Sequence, residues 1–229
     1  MADALSRTGK KEDAMHALLE SLKIYTNLDM TNSMSYASTM HMMGSVLAGI
    51  DRYDDAIRTL QRSVEGFDRI GLRNTHNCAI ALNSLGEVLS RASMEELAMN
   101  ALQESISIHE KLSEKSTRSY AYALCNMGKL LARFGKLEDA LHVLKESLRV
   151  YNDLNLQNSM SCAVSLQCLA DVLSVLDKDE DAMKAVQESV KIHDRSNTRD
   201  NENYALALQT LGELLVRERK YVDALNVLQ

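Results

Sequence analysis

The sequence predicts an all-α fold, a solenoid of stacked antiparallel helix hairpins, and three observations carry that reading. The stretch "SYASTMHMMG" at residues 35–44 returns as "SYAYALCNMG" at residues 119–128, two turns of a 42-residue period. The 229-residue chain has no proline and only nine glycines, so little interrupts a helix. Apolar residues recur three and four apart, as in Met40, Met43, Val46 and Leu47, the spacing of one helix face. Aromatic residues make up 4% and Trp is absent, so the runs that favour sheets are missing.

Counted from Ser35, units run 35–76, 77–118, 119–160 and 161–202 without insertion. Partial units at 1–34 and 203–229 complete a single solenoid over residues 1–229. Each unit opens on Ser35, Asn77, Ser119, Ser161 or Asn203, residue types that cap a helix N-terminus, so these are the expected caps. A first helix follows, with Gly44, Gly86, Gly128, Ala170 and Gly212 at its tenth position and leucine at its thirteenth. A short polar turn such as "AGIDRY" or "RFGKL" ends it. The second helix opens on acids, Asp54–Asp55 or Glu138–Asp139, which suit the positive end of its dipole. It carries alanine at position twenty-two and serine at twenty-nine, the latter being Ser63, Ser105, Ser147 and Ser189. A small tenth residue lets the paired helix come close. The alanine and serine columns are expected to let helices of adjacent units approach. A lone hairpin leaves its apolar face open, and stacked hairpins cover one another.

In this register Met1 falls at the ninth position and Gln229 at the twenty-seventh, so both ends cut through a hairpin. Leu5, Leu214, Leu215, Leu225 and Leu228 are then expected to lack part of their covering. The reading is a piece of a longer protein, or ends covered by further repeats or neighbouring subunits.

A net charge of −6 argues against a general nucleic-acid binder and a polybasic membrane-surface protein. No apolar stretch is long enough to span a bilayer, so no membrane insertion is expected. Cys78, Cys125, Cys162 and Cys168 form no CxxC pair and read as small apolar residues of the cytoplasm or another reducing compartment. Among six histidines, His109 and His193 share the thirty-third column with Tyr25, Phe67 and Tyr151. That column reads as a half-buried packing position rather than a metal ligand. No HExxH, GxSxG or phosphate loop is present, so no enzyme, cofactor or metal is expected.

Gly at ten, Leu at thirteen, Tyr53, Leu137 and Tyr221 at nineteen and Ala at twenty-two resemble the tetratricopeptide repeat. The segments "NSLGEVLSRASMEELAMNAL" and "QTLGELLVRERKYVDALNVL" carry the likeness most fully. At 42 residues the unit is most similar to the repeats of kinesin light chains and related proteins. It departs from them in lacking proline and in keeping only Asn83 and Asn126 of their asparagine pair. The resemblance implies a right-handed superhelix whose concave face, lined by first helices, binds an extended peptide.

The resemblance maps that face to unit positions four, seven, eleven, fourteen and fifteen. The candidate binding residues are Asn83, Arg91, Tyr122, Lys129, Arg133, Gln167, Gln209 and Arg217. Glu87–Arg91 and Glu213–Arg217 are i, i+4 pairs. Lys129 and Arg133 have no such neighbour, so they read as one unpaired basic spot beside Tyr122, suited to an acidic or aromatic-acidic segment. The expected function is a non-catalytic protein-interaction scaffold or adaptor. The alternatives are a structural subunit packed inside a large assembly and a regulatory sensor domain of a larger signalling protein.

Overall fold

The computed structural model describes residues 11–197 and 201–228. The described residues form eleven α-helices and no strand. They divide into two compact units, Met1–Glu114 and Lys115–Gln229.

The first unit holds α1 (Lys11–Asn27), the hairpin of α2 (Met34–Ala48) with α3 (Tyr53–Arg69), and the hairpin of α4 (His76–Arg91) with α5 (Glu95–Lys111). Within it α1 packs on α2, α3 packs on α4, and the first helices α2 and α4 touch. The second unit holds three hairpins: α6 (Arg118–Arg133) with α7 (Leu137–Asp153), α8 (Met160–Val175) with α9 (Asp179–Arg195), and α10 (Glu202–Arg217) with α11 (Tyr221–Leu228). There α7 packs on α8 and α9 on α10, and the first helices α6, α8 and α10 lie in sequence beside one another. Each unit therefore has the nearest-neighbour core expected of stacked hairpins.

The helices begin two residues earlier than the expected caps. The N-caps are Ser33, Thr75, Thr117, Ser159 and Asn201, themselves one column of the 42-residue period. In four of them the side-chain oxygen accepts a backbone N–H three residues on, from Tyr36, Tyr120, Cys162 and Tyr204. The period fixes spacing but not phase, and two capping-type columns lie two residues apart in the sequence.

The loops reverse through one left-handed residue each. Asp51, Ser93, Gly135, Asp177 and Arg219 hold φ between 54° and 71° at position seventeen. Asp29, Gly71, Ser113, Asn155 and Asn197 hold φ between 52° and 73° at position thirty-seven. Helix ends close with the paired bonds of a Schellman turn, such as Met94 N–H to Leu89 O at 2.9 Å and Ser93 N–H to Ser90 O at 3.2 Å.

The serine column acts inside a hairpin, not between hairpins as the sequence suggested. Ser63, Ser105, Ser147 and Ser189 donate to the carbonyls of Ala37, Ala79, Ala121 and Ala163, each in the first helix of its own unit, at 2.7–2.9 Å. Ser147 alone among these also meets the next hairpin, through Ser165 Oγ at 3.1 Å. Burying a hydroxyl requires an acceptor, and the third-position carbonyl supplies it. The tenth position behaves as expected: a methyl on Gly86 would lie 2.7 Å from Leu102 Cγ and 3.3 Å from the Ala98 carbonyl. The backbone carbonyl at position twenty-two thus lines the intra-hairpin contact.

Leu214 and Leu215 are buried, contrary to the expectation of lost cover, because α10 packs against both α9 and α11. Leu225 is exposed. Leu5 lies outside the described residues, as does the side chain of Leu228.

Candidate functional site

The seventh, eleventh and fifteenth positions lie four apart, so they form one stripe along each first helix. In the first unit the stripe includes His41 of α2 and Asn83 and Arg91 of α4. His41 Nε2 is hydrogen-bonded to Ser84 Oγ across the two helices at 2.9 Å. Burial lowers the His41 pKa to about 4, so the ring is neutral near pH 7. Asn83 is buried. Arg91 is exposed and lies 3.4 Å from Glu87, the pair anticipated from its i, i+4 spacing.

In the second unit the equivalent joint is tighter. Gln167 Nε2 donates to Asp171 Oδ1 at 2.8 Å and to Thr210 Oγ1 of α10 at 2.8 Å. Thr210 Oγ1 donates in turn to the same Asp171 oxygen at 2.9 Å. Asp171 is exposed, yet the protein around it desolvates the carboxylate enough to raise its pKa, opposed by the Thr210 and Gln167 bonds. Gln209 donates to Glu213 at 3.0 Å.

Two sequence expectations change here. Arg217 does not pair with Glu213; its Nη1 reaches across to Asp179 Oδ1 at 3.0 Å and to the Ser174 carbonyl at 3.1 Å on the neighbouring hairpin. Glu213 is taken by Gln209 instead. Lys129 and Arg133 are not an unpaired basic spot, because both have interaction partners. Lys129 bears on the ionisation of Asp171 and Cys168. The i, i+4 rule looks only along one helix, whereas the Arg217 partners lie on the neighbouring hairpin and Lys129 acts on residues of α8. Tyr122 is half-buried on α6, and Arg133 is exposed at the end of that helix. The structure thus joins Gln167 to Asp171 and Thr210, while Gln209 and Arg217 hold separate pairs.

The four cysteines are not disulfide-bonded, and only Cys168 is more than marginally accessible. Burial pushes the Cys78 and Cys162 thiols up to about 11. A hydrogen bond with Cys125, together with burial, raises Cys168 well above its usual value. Thiols so held are poor nucleophiles. His109 and His193 are fully buried, not half-buried as their column suggested. A second polar cluster stands at the open end of the α4–α5 hairpin, away from its 92–94 turn. Glu114 Oε2 lies 2.7 Å from His76 Nδ1 and 3.1 Å from His109 Nδ1. The two imidazoles meet edge to face, with centroids 5.4 Å apart. The repeat columns could not reveal this cluster, because His76 and Glu114 have no counterparts at their positions in other units.

A tetratricopeptide repeat family profile matches residues 35–111 and again 77–153, together more than half of the chain. The chain belongs to the tetratricopeptide repeat family. A second profile, for anaphase-promoting complex subunit 5, matches residues 153–218. No curated protein sequence matches this tetratricopeptide repeat protein. Among solved structures, BtubC (BKLC) from P. vanneervenii is similar over 95% of this chain and 87% of its own, with TM-score 0.75 and 12% identity. A putative kinesin light chain from Podosopora anserina with nearly identical TPR-like repeats is similar over 86% and 93%, with TM-score 0.67 and 13% identity. The Rap conjugation gene regulator in complex with a Phr peptide is similar over 98% of this chain and 59% of its own, with TM-score 0.75 and 13% identity. At these identities the likeness shows the fold. Kinesin light chain-like tetratricopeptide proteins are among its neighbours. Among the described residues, no helix is long and apolar enough to cross a membrane.

Proposed function

We propose that this chain is a non-catalytic protein-interaction scaffold whose first-helix stripe takes an extended peptide segment. The observation that carries this reading is the character of that stripe in the second unit. There α6, α8 and α10 lie side by side, and the buried Gln167 ties α8 to α10 through Thr210 and Asp171. Beside that fixed joint the exposed Gln209 amide suits a peptide backbone, which offers a donor and an acceptor at nearly every residue. Exposed arginines at position fifteen of this unit, Arg133 and Arg217, suit carboxylates on such a segment. The half-buried Tyr122 suits an aromatic neighbour. The fold neighbours include a Rap protein solved with a Phr peptide and a TPR protein described as having an unusual peptide-binding site, which supports the same class of partner. In this reading residues 1–229 act as one solenoid, in an intracellular reducing setting.

Peptide display against the full chain, followed by fluorescence polarisation of the selected sequences, tests the proposal. Selected peptides should be acidic or aromatic-acidic, and Lys129→Glu with Arg133→Glu should weaken them by about tenfold or more, one carboxylate pairing being worth about 1.5–3 kcal/mol. Absence of any peptide binding tighter than about 1 mM would remove it.

A second reading has its own support. The anaphase-promoting complex subunit 5 profile matches residues 153–218, and Val175, Tyr221, Val222 and Leu225 are exposed apolar side chains of the second unit. A structural subunit of a large assembly would bury such residues against folded neighbours. Cross-linking of the native protein in cells distinguishes the two: contacts from α11 to a folded partner favour the assembly, and contacts from α6, α8 and α10 to an unstructured segment favour the peptide.

A further inference from the structure

We propose that His76, His109 and Glu114 form a Zn2+ site at the open end of the α4–α5 hairpin, away from its 92–94 turn. The three side chains each offer one ligand atom, and these atoms lie within 4.8 Å of one another. A tetrahedral zinc ion, with bonds of about 2.0–2.2 Å, holds its ligand atoms roughly 3.3–3.6 Å apart. Glu114 Oε2 is already 2.7 and 3.1 Å from the two Nδ1 atoms, so small rotations bring the set to that spacing. The ligands come from rigid places. His76 is the first residue of α4, His109 lies in the last turn of α5, and Glu114 follows the left-handed Ser113. The Glu114 N–H is bonded to the His109 carbonyl at 2.8 Å, which fixes the carboxylate beside that ring.

Two nitrogens and one carboxylate oxygen select a borderline transition ion over Ca2+ or Mg2+, which require mostly oxygen. The site is closed on one side and open on the other. His109 is fully buried, whereas the side chains of His76 and Glu114 are 41% and 30% exposed. A cation can therefore enter from solvent, and the fourth position is left to water. On binding, each Nδ1 places its lone pair on the ion and the ring proton moves to Nε2. The bound ion ties the start of α4 to the end of α5, stapling one hairpin of the first unit. No other unit has this set: Arg118, Met160 and Glu202 stand where His76 does in the repeat, and Leu72, Leu156 and Thr198 where Glu114 does.

The test is titration of the full chain, freed of metal, with ZnCl2 and with Co2+ as a coloured substitute. Wild-type protein should take up one equivalent of zinc, with cobalt giving the absorption of a nitrogen–oxygen tetrahedral site. Glu114→Gln and His76→Ala should each lower the affinity by roughly tenfold or more, since even outer partners of ligands are worth 10–100-fold. Circular dichroism in chelator should show both variants folded. A measurement on wild type alone guards against misfolded variants: zinc should move the ring resonances of His76 and His109 first among the six histidines. Failure of the wild type to bind one equivalent, retention of its affinity in either variant, or movement of other histidine resonances instead would each overturn the proposal.

Discussion

The hairpins 77–118 and 161–202 fill the same repeat columns with different side chains. In the first, Gly86 faces Leu102; in the second, Ala170 stands at the tenth position and Val186 at the twenty-sixth, and both are fully buried. One methyl group has moved from one helix to its partner. Hairpins 35–76 and 119–160 keep the first solution, with Gly44 against Leu60 and Gly128 against Leu144. The joints differ too: the first hairpin is met by His41 at Ser84, the second reaches Thr210 through Gln167, and both bonds span the same 43 residues. Buried His109 meets His76 and Glu114, whereas buried His193 meets Tyr204, with centroids 5.4 Å apart. A pair of facing columns therefore fixes combined volume and burial, while the chemistry at each column comes from neighbours the repeat does not conserve in kind.

Acid should separate the two joints most strongly. The folded-state pKa of His41 is lowered to about 4 from 6.5, so its share of stability is complete above pH 6.5 and is lost as pH falls toward 4. That share is up to about 3 kcal/mol. Thermal melts of wild type and His41→Gln, which copies the Gln167–Thr210 joint, should show a steep loss between these pH values only in wild type. Equal slopes would show that the His41 joint does not sense protons.

Next in size is the methyl exchange. Gly86→Ala should cost about 1–3 kcal/mol in denaturant unfolding, although alanine favours helix by about 1 kcal/mol. Adding Leu102→Val should recover most of that loss, giving a favourable coupling in a double-mutant cycle. Additive losses would mean that Ala170 and Val186 are not a compensating pair. Ser147→Ala should cost about 1 kcal/mol, because it leaves the Ala121 carbonyl without its hydroxyl donor. Ser105→Ala, which lacks the Ser165 contact, should cost no more. Smallest is Arg73→Ala: its two bonds to Glu104, at 2.6 and 2.7 Å, lie at the surface and should be worth under about 1 kcal/mol. A larger loss would mark that pair as part of the core rather than its rim.

Helix count, pairing and the glycine contacts were legible because they repeat. The caps were placed two residues late, since Ser33 and Ser35 are both good capping types and only the backbone distinguishes them. The serine column was assigned to the wrong neighbour because a period records that a small residue is needed, not which helix it faces. Arg217 and Lys129 were misjudged for a related reason: their partners lie on other helices, beyond the reach of i, i+4 reasoning. The His76–Glu114–His109 cluster was invisible because it is an exception to the repeat. The left-handed column at position thirty-seven, with Asp29, Gly71, Ser113, Asn155 and Asn197, was readable in principle from its turn-forming residues.

The serine-to-alanine bond and the glycine–leucine contact both close within a single 42-residue block. Each block therefore carries its own internal lock, and duplication or recombination at block edges leaves that lock intact. A gene encoding such blocks can lengthen or exchange them as cassettes, with only the outward surfaces needing to be refitted.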